Sequence, residues 1–308
     1  MQVWPRDRRA VGGGARREAR ILAPVTATLM DGKALAARIR KEVGRDVAEL
    51  GHVGLATVLV GDDPASDVYI RAKHNASQEV GIAARDLRLP ATTTEAELLD
   101  AVAELNADDG VDGILVQLPL PEGIDEARVI RAVDPAKDVD GFHPLNAGQL
   151  YLGRPTYVPG TALGVLELLE AYDVPLEGAH AVVLGRSDIV GKPVAMLLLQ
   201  RHATVTLCHS RTRDLRSEVA RGDVVVAAVG VPGLVEGDWV KEGACLIDVG
   251  ITRTGEGIVG DVAPAAAERA ALLTPVPGGV GPMTVAMLLT NAVRAARYRR
   301  RLLAFPGA

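Results

Sequence analysis

Aromatic side chains make up only 3% of this 308-residue chain, so its core must be built mainly from alanine, valine and leucine. Cysteine is nearly absent: Cys208 and Cys245 stand far apart in apolar runs. They read as small buried hydrophobes, which excludes a disulfide framework and a cysteine metal site. No apolar run reaches about 18 residues, which excludes a membrane-spanning helix. Basic charge is not in excess either. The net charge is −5, which argues against nucleic acid as a partner. What remains is a 48% hydrophobic chain, long enough for two domains of ordinary size.

Residues 1–28 are Arg-rich, carry Gly12-Gly13-Gly14 and show no apolar periodicity. They lack the continuous apolar stretch of a signal peptide and are expected to form a disordered or non-native extension outside the fold. From Asp31 the pattern becomes regular. Leu35, Ile39, Val43, Val47 and Leu50 recur at helical spacing, and Leu55 to Val60 is a short β-branched run ending at Gly61. Asp63-Pro64 supplies an N-cap and a first-turn proline for a helix running to about Val80. A strand over 84–89, a helix over 94–106, a strand over 113–118 and a helix over 125–133 follow. The alternation resumes with a helix over 162–172, a strand over 180–184, a helix over 193–202 and strands over 204–208, 224–228 and 245–248. A last helix is expected over 285–301, free to pack back on the first unit. Alternating strands and helices predict an α/β fold with parallel sheets, in two domains.

The most unusual stretch is Thr274-Pro-Val-Pro-Gly-Gly-Val-Gly-Pro-Met-Thr284, with three prolines and three glycines in eleven residues. This mixture predicts a rigid loop that a flat ligand can approach closely. Gly185-Arg186-Ser187-Asp188-Ile189-Val190-Gly191 falls between a strand and a helix, where a doubly wound sheet binds pyrophosphate. Serine occupies the usual middle glycine, and Arg186 adds a cation. At the end of the next strand, where NAD sites carry an acid, the chain has Ser210, Arg211 and Arg213, which favours NADP.

Tyr69 and Lys73 are four residues apart and share a helix face. A partly desolvated lysine exchanges protons near neutrality, and a tyrosine offers a stacking surface. Short-chain dehydrogenases also pair Tyr and Lys this way, but after the nucleotide fingerprint, whereas here the pair precedes it. Gln117 ends its strand and is a neutral partner suited to holding a lysine. Asp138 and Asp140 alternate in a polar loop, so one faces ligand while the other fixes the loop. His143, before a proline, reads as structural.

These pieces in this order resemble the bifunctional methylenetetrahydrofolate dehydrogenase/cyclohydrolase family over about residues 29–300. The carriers are Gly61-Asp-Asp-Pro-Ala-Ser66 with Tyr69-Ile-Arg-Ala-Lys73, Asp112 to Pro121, Lys137 to Pro144, Gly185 to Gly191 and Thr274 to Thr284. The resemblance implies a catalytic tetrahydrofolate-binding domain over 29–151, completed by 282–304, and a Rossmann-type NADP-binding domain over 152–281. It also implies that NADP takes a hydride from 5,10-methylenetetrahydrofolate and that the methenyl product is hydrolysed to 10-formyltetrahydrofolate. Lys73, Gln117 and Asp140 match the family's catalytic residues; Tyr69, Pro277, Gly278 and Gly281 join them at the substrate. Gly185, Arg186, Ser187, Ser210, Arg211 and Ile251 fall at the cofactor. A cytoplasmic homodimer associating through the nucleotide domain is implied, with no metal, nucleic acid or membrane. Two departures stand out: Pro159-Gly160-Thr161-Ala162, where the family usually has Pro-Cys-Thr-Pro, and His74-Asn-Ala-Ser after the lysine. Alternatives are a shikimate-type NADP-dependent dehydrogenase and a catalytically silent NADP-binding regulator. Methylenetetrahydrofolate with NADP distinguishes them.

Overall fold

A computed structural model describes residues 27–62, 64–255 and 257–306, with the backbone alone for residues 64–69. The first half runs β1 (Thr28–Leu29), α1 (Gly32–Leu50), β2 (Gly54–Val60), α2 (Pro64–Glu79), β3 (Ala83–Leu89), α3 (Glu95–Ala107), β4 (Gly113–Val116), α4 (Glu126–Ala132) and α5 (Pro144–Tyr151). The second runs α6 (Gly160–Ala171), β5 (His180–Leu184), α7 (Gly191–Gln200), β6 (Thr204–Cys208), α8 (Leu215–Val219), β7 (Val224–Ala227) and β8 (Cys245–Asp248). It closes with β9 (Thr252–Thr254), β10 (Gly257–Val259), β11 (Leu272–Leu273) and α9 (Val280–Arg299).

Local chemistry accounts for several boundaries. Asp31 accepts from the Ala34 N–H and starts α1. Thr94 and Glu97 form a reciprocal capping box at α3. His143 Nδ1 accepts from the Leu145 N–H and caps α5, a structural role matching the sequence reading. The Asp63 cap falls outside the described residues, as does the expected extension up to residue 26.

Two parallel sheets carry the domains. In the first, β2 lies between β3 and β4. In the second the order is β1-β11-β8-β7-β5-β6, so strand order reverses between β5 and β7, the switch point of a dinucleotide fold. Thr28, expected in the extension, and Leu29, expected in the catalytic domain, instead form the edge of this second sheet beside β11. Two residues held by backbone pairing leave no periodicity in a sequence. The same brevity hid β11, and the β9–β10 hairpin and α8 were missed with it.

α9 crosses back and packs on α1, α6, β2 and β4. Its end is tied down by Arg299, which donates to Asp109, to Asp112 and to the Val111 carbonyl. The helix starts at Val280, inside the stretch expected to be all loop. Pro282 is its third residue, where the N–H would have no intrahelical partner, so the proline costs no hydrogen bond there. One apolar cluster runs from α1 through α9 and α6 to β5 and β7, built largely from Ala, Val, Leu and Ile. The aromatic exceptions stack on each other: Tyr157, fully buried, meets Tyr298 at 5.6 Å and Phe305 at 6.3 Å. Cys208 and Cys245 are buried free thiols, and burial pushes the Cys245 thiol up to about 12.

Candidate active site

Lys73 lies on α2, and its Nζ donates to Gln117 Oε1 at 3.1 Å. Gln117 follows β4, and its Nε2 donates to the Leu118 carbonyl at 2.7 Å, which turns the amide oxygen toward the lysine. Lys73, Gln117 and Asp140 line one cavity of about 260 Å³, with Phe142, Thr161 and Thr284. Burial lowers the Lys73 pKa, while the nearby Asp140 charge opposes that shift. Burial likewise pushes the Asp140 carboxyl up to about 7, against the pull of Lys73 and with a push from Asp138. Burial thus shifts the lysine down and the carboxyl up, the kind of perturbation that marks groups suited to proton transfer. Tyr69 sits one turn earlier on α2, and its side chain lies outside the described residues.

The two aspartates take separate roles, although residues 138–141 form a turn closed by the Gly141 N–H on the Asp138 carbonyl at 3.1 Å and not the extended segment that alternation assumes. Asp138 is buried and accepts from the Phe142 and His143 N–H groups and from Asn146 Nδ2 at 2.7 Å. It shapes the loop, and Asp140 faces the cavity. A second clamp comes from α9: Asn291, 2% exposed, donates to the Val139 carbonyl at 2.8 Å and to the Val158 carbonyl at 3.0 Å. Sequence reasoning missed Asn291, Thr161 and Thr284. The signal for Asn291 was a lone amide among Leu288, Leu289, Ala292 and Val293. Asn291→Ala should strand two buried carbonyls and destabilise the fold by about 1–3 kcal/mol. Thermal unfolding of the variant would check this.

The Gly160 departure has a packing counterpart. A Cβ there would sit 2.8 Å from the Thr284 carbonyl, so glycine lets α6 approach α9 closely beside the lysine cavity.

Across the cleft, Gly185 follows β5 with φ +109, and a side chain on it would strike the Ala228 carbonyl at 2.2 Å. A Cβ on Gly191 would lie 2.0 Å from the Gly185 carbonyl. The two glycines thus let strand, turn and helix close on each other. Ser187, in the place of the middle glycine, accepts from the Val190 and Gly191 N–H groups at the entry to α7. Arg186, Ser210 and Arg211 are exposed at the carboxyl ends of β5 and β6. Asp214, the next acid along the chain, is spent on capping α8 through Ser217. Ile251, Pro277, Gly278 and Gly281 line a second cleft of about 230 Å³. Ile189 and Val190, from the phosphate-loop motif, border the lysine cavity itself.

A dinucleotide-binding sheet facing a lysine–amide–carboxylate cleft defines a two-domain, nucleotide-dependent enzyme. Residues 30–140 match the tetrahydrofolate dehydrogenase/cyclohydrolase catalytic domain, and residues 159–300 match that family's NAD(P)-binding domain. The chain belongs to the tetrahydrofolate dehydrogenase/cyclohydrolase family. It is 58% identical over 276 residues to the bifunctional protein FolD 2 of Geobacter metallireducens, covering 88% of this chain and 97% of that one. It also resembles the crystal structure of the bifunctional FolD of Campylobacter jejuni, with TM-score 0.87 and 46% identity over 89% of this chain and 99% of the other. The Trypanosoma brucei FolD, solved with NADP and an inhibitor, superposes with TM-score 0.86 at 43% identity, over 89% and 99% of the two chains.

Proposed function

We propose that this protein oxidises 5,10-methylenetetrahydrofolate to 5,10-methenyltetrahydrofolate with NADP and hydrolyses that product to 10-formyltetrahydrofolate in the same cleft. The observation that carries this reading is the Lys73–Gln117–Asp140 cluster bordered by the dinucleotide loop. The relatives named above are bifunctional, and both halves of the chain match the family.

The residues present fit NADP. Gly185 and Gly191 leave a cradle that a Cβ would fill, Arg186 is exposed beside it, and among the described residues no carboxylate is free at the β6 end to compete for a 2′-phosphate. When bound, NADP supplies the hydride acceptor. The chain's own contribution to that step is alignment, because the nitrogen lone pair beside the methylene carbon stabilises the resulting cation. Such positioning is worth at most ~7–11 kcal/mol. In the second step water adds to the methenyl carbon, a proton leaves that water, and the carbon–nitrogen bond breaks as the departing nitrogen gains a proton. Lys73 handles these protons. Gln117 orients Lys73, Asp140 bonds the amino-pyrimidine edge of the pterin, and Tyr69 stacks on the aminobenzoate. Pro277, Gly278 and Gly281 form the wall against the substrate, while Ser187, Ser210 and Ile251 serve the cofactor. Incubation with methylenetetrahydrofolate and NADP, following methenyl absorbance and its decay, tests both activities.

Cofactor choice is separately testable. Arg186→Ala should raise the KM for NADP roughly tenfold or more, since bonds to charged groups are worth about 1.5–3 kcal/mol. The KM for NAD should hardly move. Equal use of NAD and NADP by the unmodified enzyme would overturn the phosphate-site reading.

We further read the chain as a cytoplasmic homodimer whose catalytic domain, over 29–151 with 282–304, is joined to an NADP domain over 152–281. Support for pairing through the nucleotide domain is the open edge of β6, which exposes Leu207. Sedimentation at micromolar concentration checks the dimer. The unpaired buried thiols suit a reducing compartment.

A further inference from the structure

We propose that the buried carboxylates of Asp248 and Asp261 are positioning residues for hydride transfer, clamping the loops after β7, β8 and β11 into one wall of the cofactor cleft. This rests on the dinucleotide lying beyond the carboxyl ends of these strands. Asp248 is 4% exposed and Asp261 fully buried. Neither belongs to the lysine cavity, and neither serves the proton transfers assigned above.

Five backbone donors converge on the pair. Asp248 Oδ1 accepts from the Gly250 N–H at 3.0 Å and the Asp261 N–H at 2.8 Å, and its Oδ2 accepts from the Val262 N–H at 2.9 Å. Asp261 Oδ2 accepts from the successive N–H groups of Val229 and Gly230, at 2.7 and 3.0 Å. Gly230 has φ +68, so these two N–H groups form the kind of concave turn that binds anions. An internal carboxylate fills that turn, which leaves the β5–α7 loop as the one for pyrophosphate. The third strand is joined through Thr274, whose Oγ1 accepts from the Asp248 N–H at 2.7 Å just before the Pro/Gly loop begins. Ile251 follows directly on Gly250, and it shares its cleft with Pro277 and Gly281. The two acids therefore set the spacing between the loops that line this cleft.

The glycines show how tightly the clamp is built. A Cβ on Gly250 would lie 2.2 Å from Asp261 Oδ1, and one on Gly260 would lie 1.9 Å from Asp248 Oδ2. Asp261 Oδ1 is buried with no hydrogen-bond partner among the described residues. The carboxylates thus differ in a way a substitution can read. Both oxygens of Asp248 are needed as acceptors, so an amide there would oppose an N–H with its own N–H. Asp261 uses one oxygen, so an asparagine can still accept both donors.

The test compares Asp248→Asn, Asp261→Asn and Asp261→Ala in the full chain. It measures dehydrogenase kinetics, NADP affinity by fluorescence titration, and hydrolysis of methenyltetrahydrofolate without NADP. Asp248→Asn and Asp261→Ala should lower dehydrogenase kcat/KM for NADP roughly tenfold or more, the loss expected when one buried donor or two are stranded. Asp261→Asn should stay close to wild type, and cofactor-free hydrolysis should persist in all three. A parallel loss of hydrolysis, or an unchanged dehydrogenase in both Asp248→Asn and Asp261→Ala, overturns the proposal. Absence of hydrolysis in the parent enzyme would count against the bifunctional reading instead, and the NADP titration would still decide the role of the two acids.

Discussion

Replacement of Lys73 by methionine is expected to abolish hydrolysis of methenyltetrahydrofolate while folate binding stays measurable. Methionine keeps the length and apolar stem and removes only the nitrogen proposed to transfer protons. General acid–base catalysis typically contributes ~10²–10⁴-fold, so a loss of that order is anticipated. Geometry supports the choice: Nζ lies 3.1 Å from Gln117 Oε1, an acceptor that holds the ammonium without adding charge. Burial lowers the Lys73 pKa, which enlarges the neutral fraction able to accept a proton near neutrality. The neutral fraction grows with pH, so wild-type hydrolysis should climb with pH until Lys73 has titrated. Hydrolysis at wild-type rate in the methionine variant would remove Lys73 from the mechanism. Dehydrogenase activity should fall less, through lost positioning alone.

Asp140→Ala should weaken folate binding in both reactions and leave NADP affinity nearly unchanged. Two hydrogen bonds to a charged acceptor, at ~1.5–3 kcal/mol each, correspond to at least a hundredfold rise in folate KM. The pH dependence supplies a second readout. Burial raises the Asp140 pKa to about 7, so the charged acceptor is present above that pH and lost as pH falls through it. Wild-type folate KM should therefore rise as pH drops below about 7, and this dependence should vanish in the alanine variant. Matching losses for folate and NADP would point to a folding defect and dismiss Asp140 as the pterin anchor.

Much of the site was legible because its residues occupy special local positions. Gly185 and Gly191 bracket a turn at two positions that tolerate no side chain, and Gln117 follows directly on a strand. Asp138 and Asp140 take separate roles, one holding the loop and the other lining the cavity, but a turn between them and not an extended backbone sets their directions. The start of α9 was misplaced because Pro282 and its glycines read as loop, although a first-turn proline is compatible with a helix. β1 and β11 were missed because two-residue strands carry no pattern of their own.

The sequence by itself determined the α/β alternation, the glycine turn after β5, the Ser/Arg cluster after β6 and the residue types of the cleft. Hydrophobic period, capping and turn chemistry are local, and each is written in a few neighbouring residues. Only the tertiary structure decided which distant groups meet. Asn291 reaches Val139 and Val158 across more than a hundred residues of chain, and Arg299 reaches Asp112 in the same way. The five donors on Asp248 and Asp261 come from loops after three different strands or from the chain beside them. Such contacts arise from the packing of α9 against the first domain and from strand order in the second sheet, and packing geometry has no spacing in the sequence to reveal it.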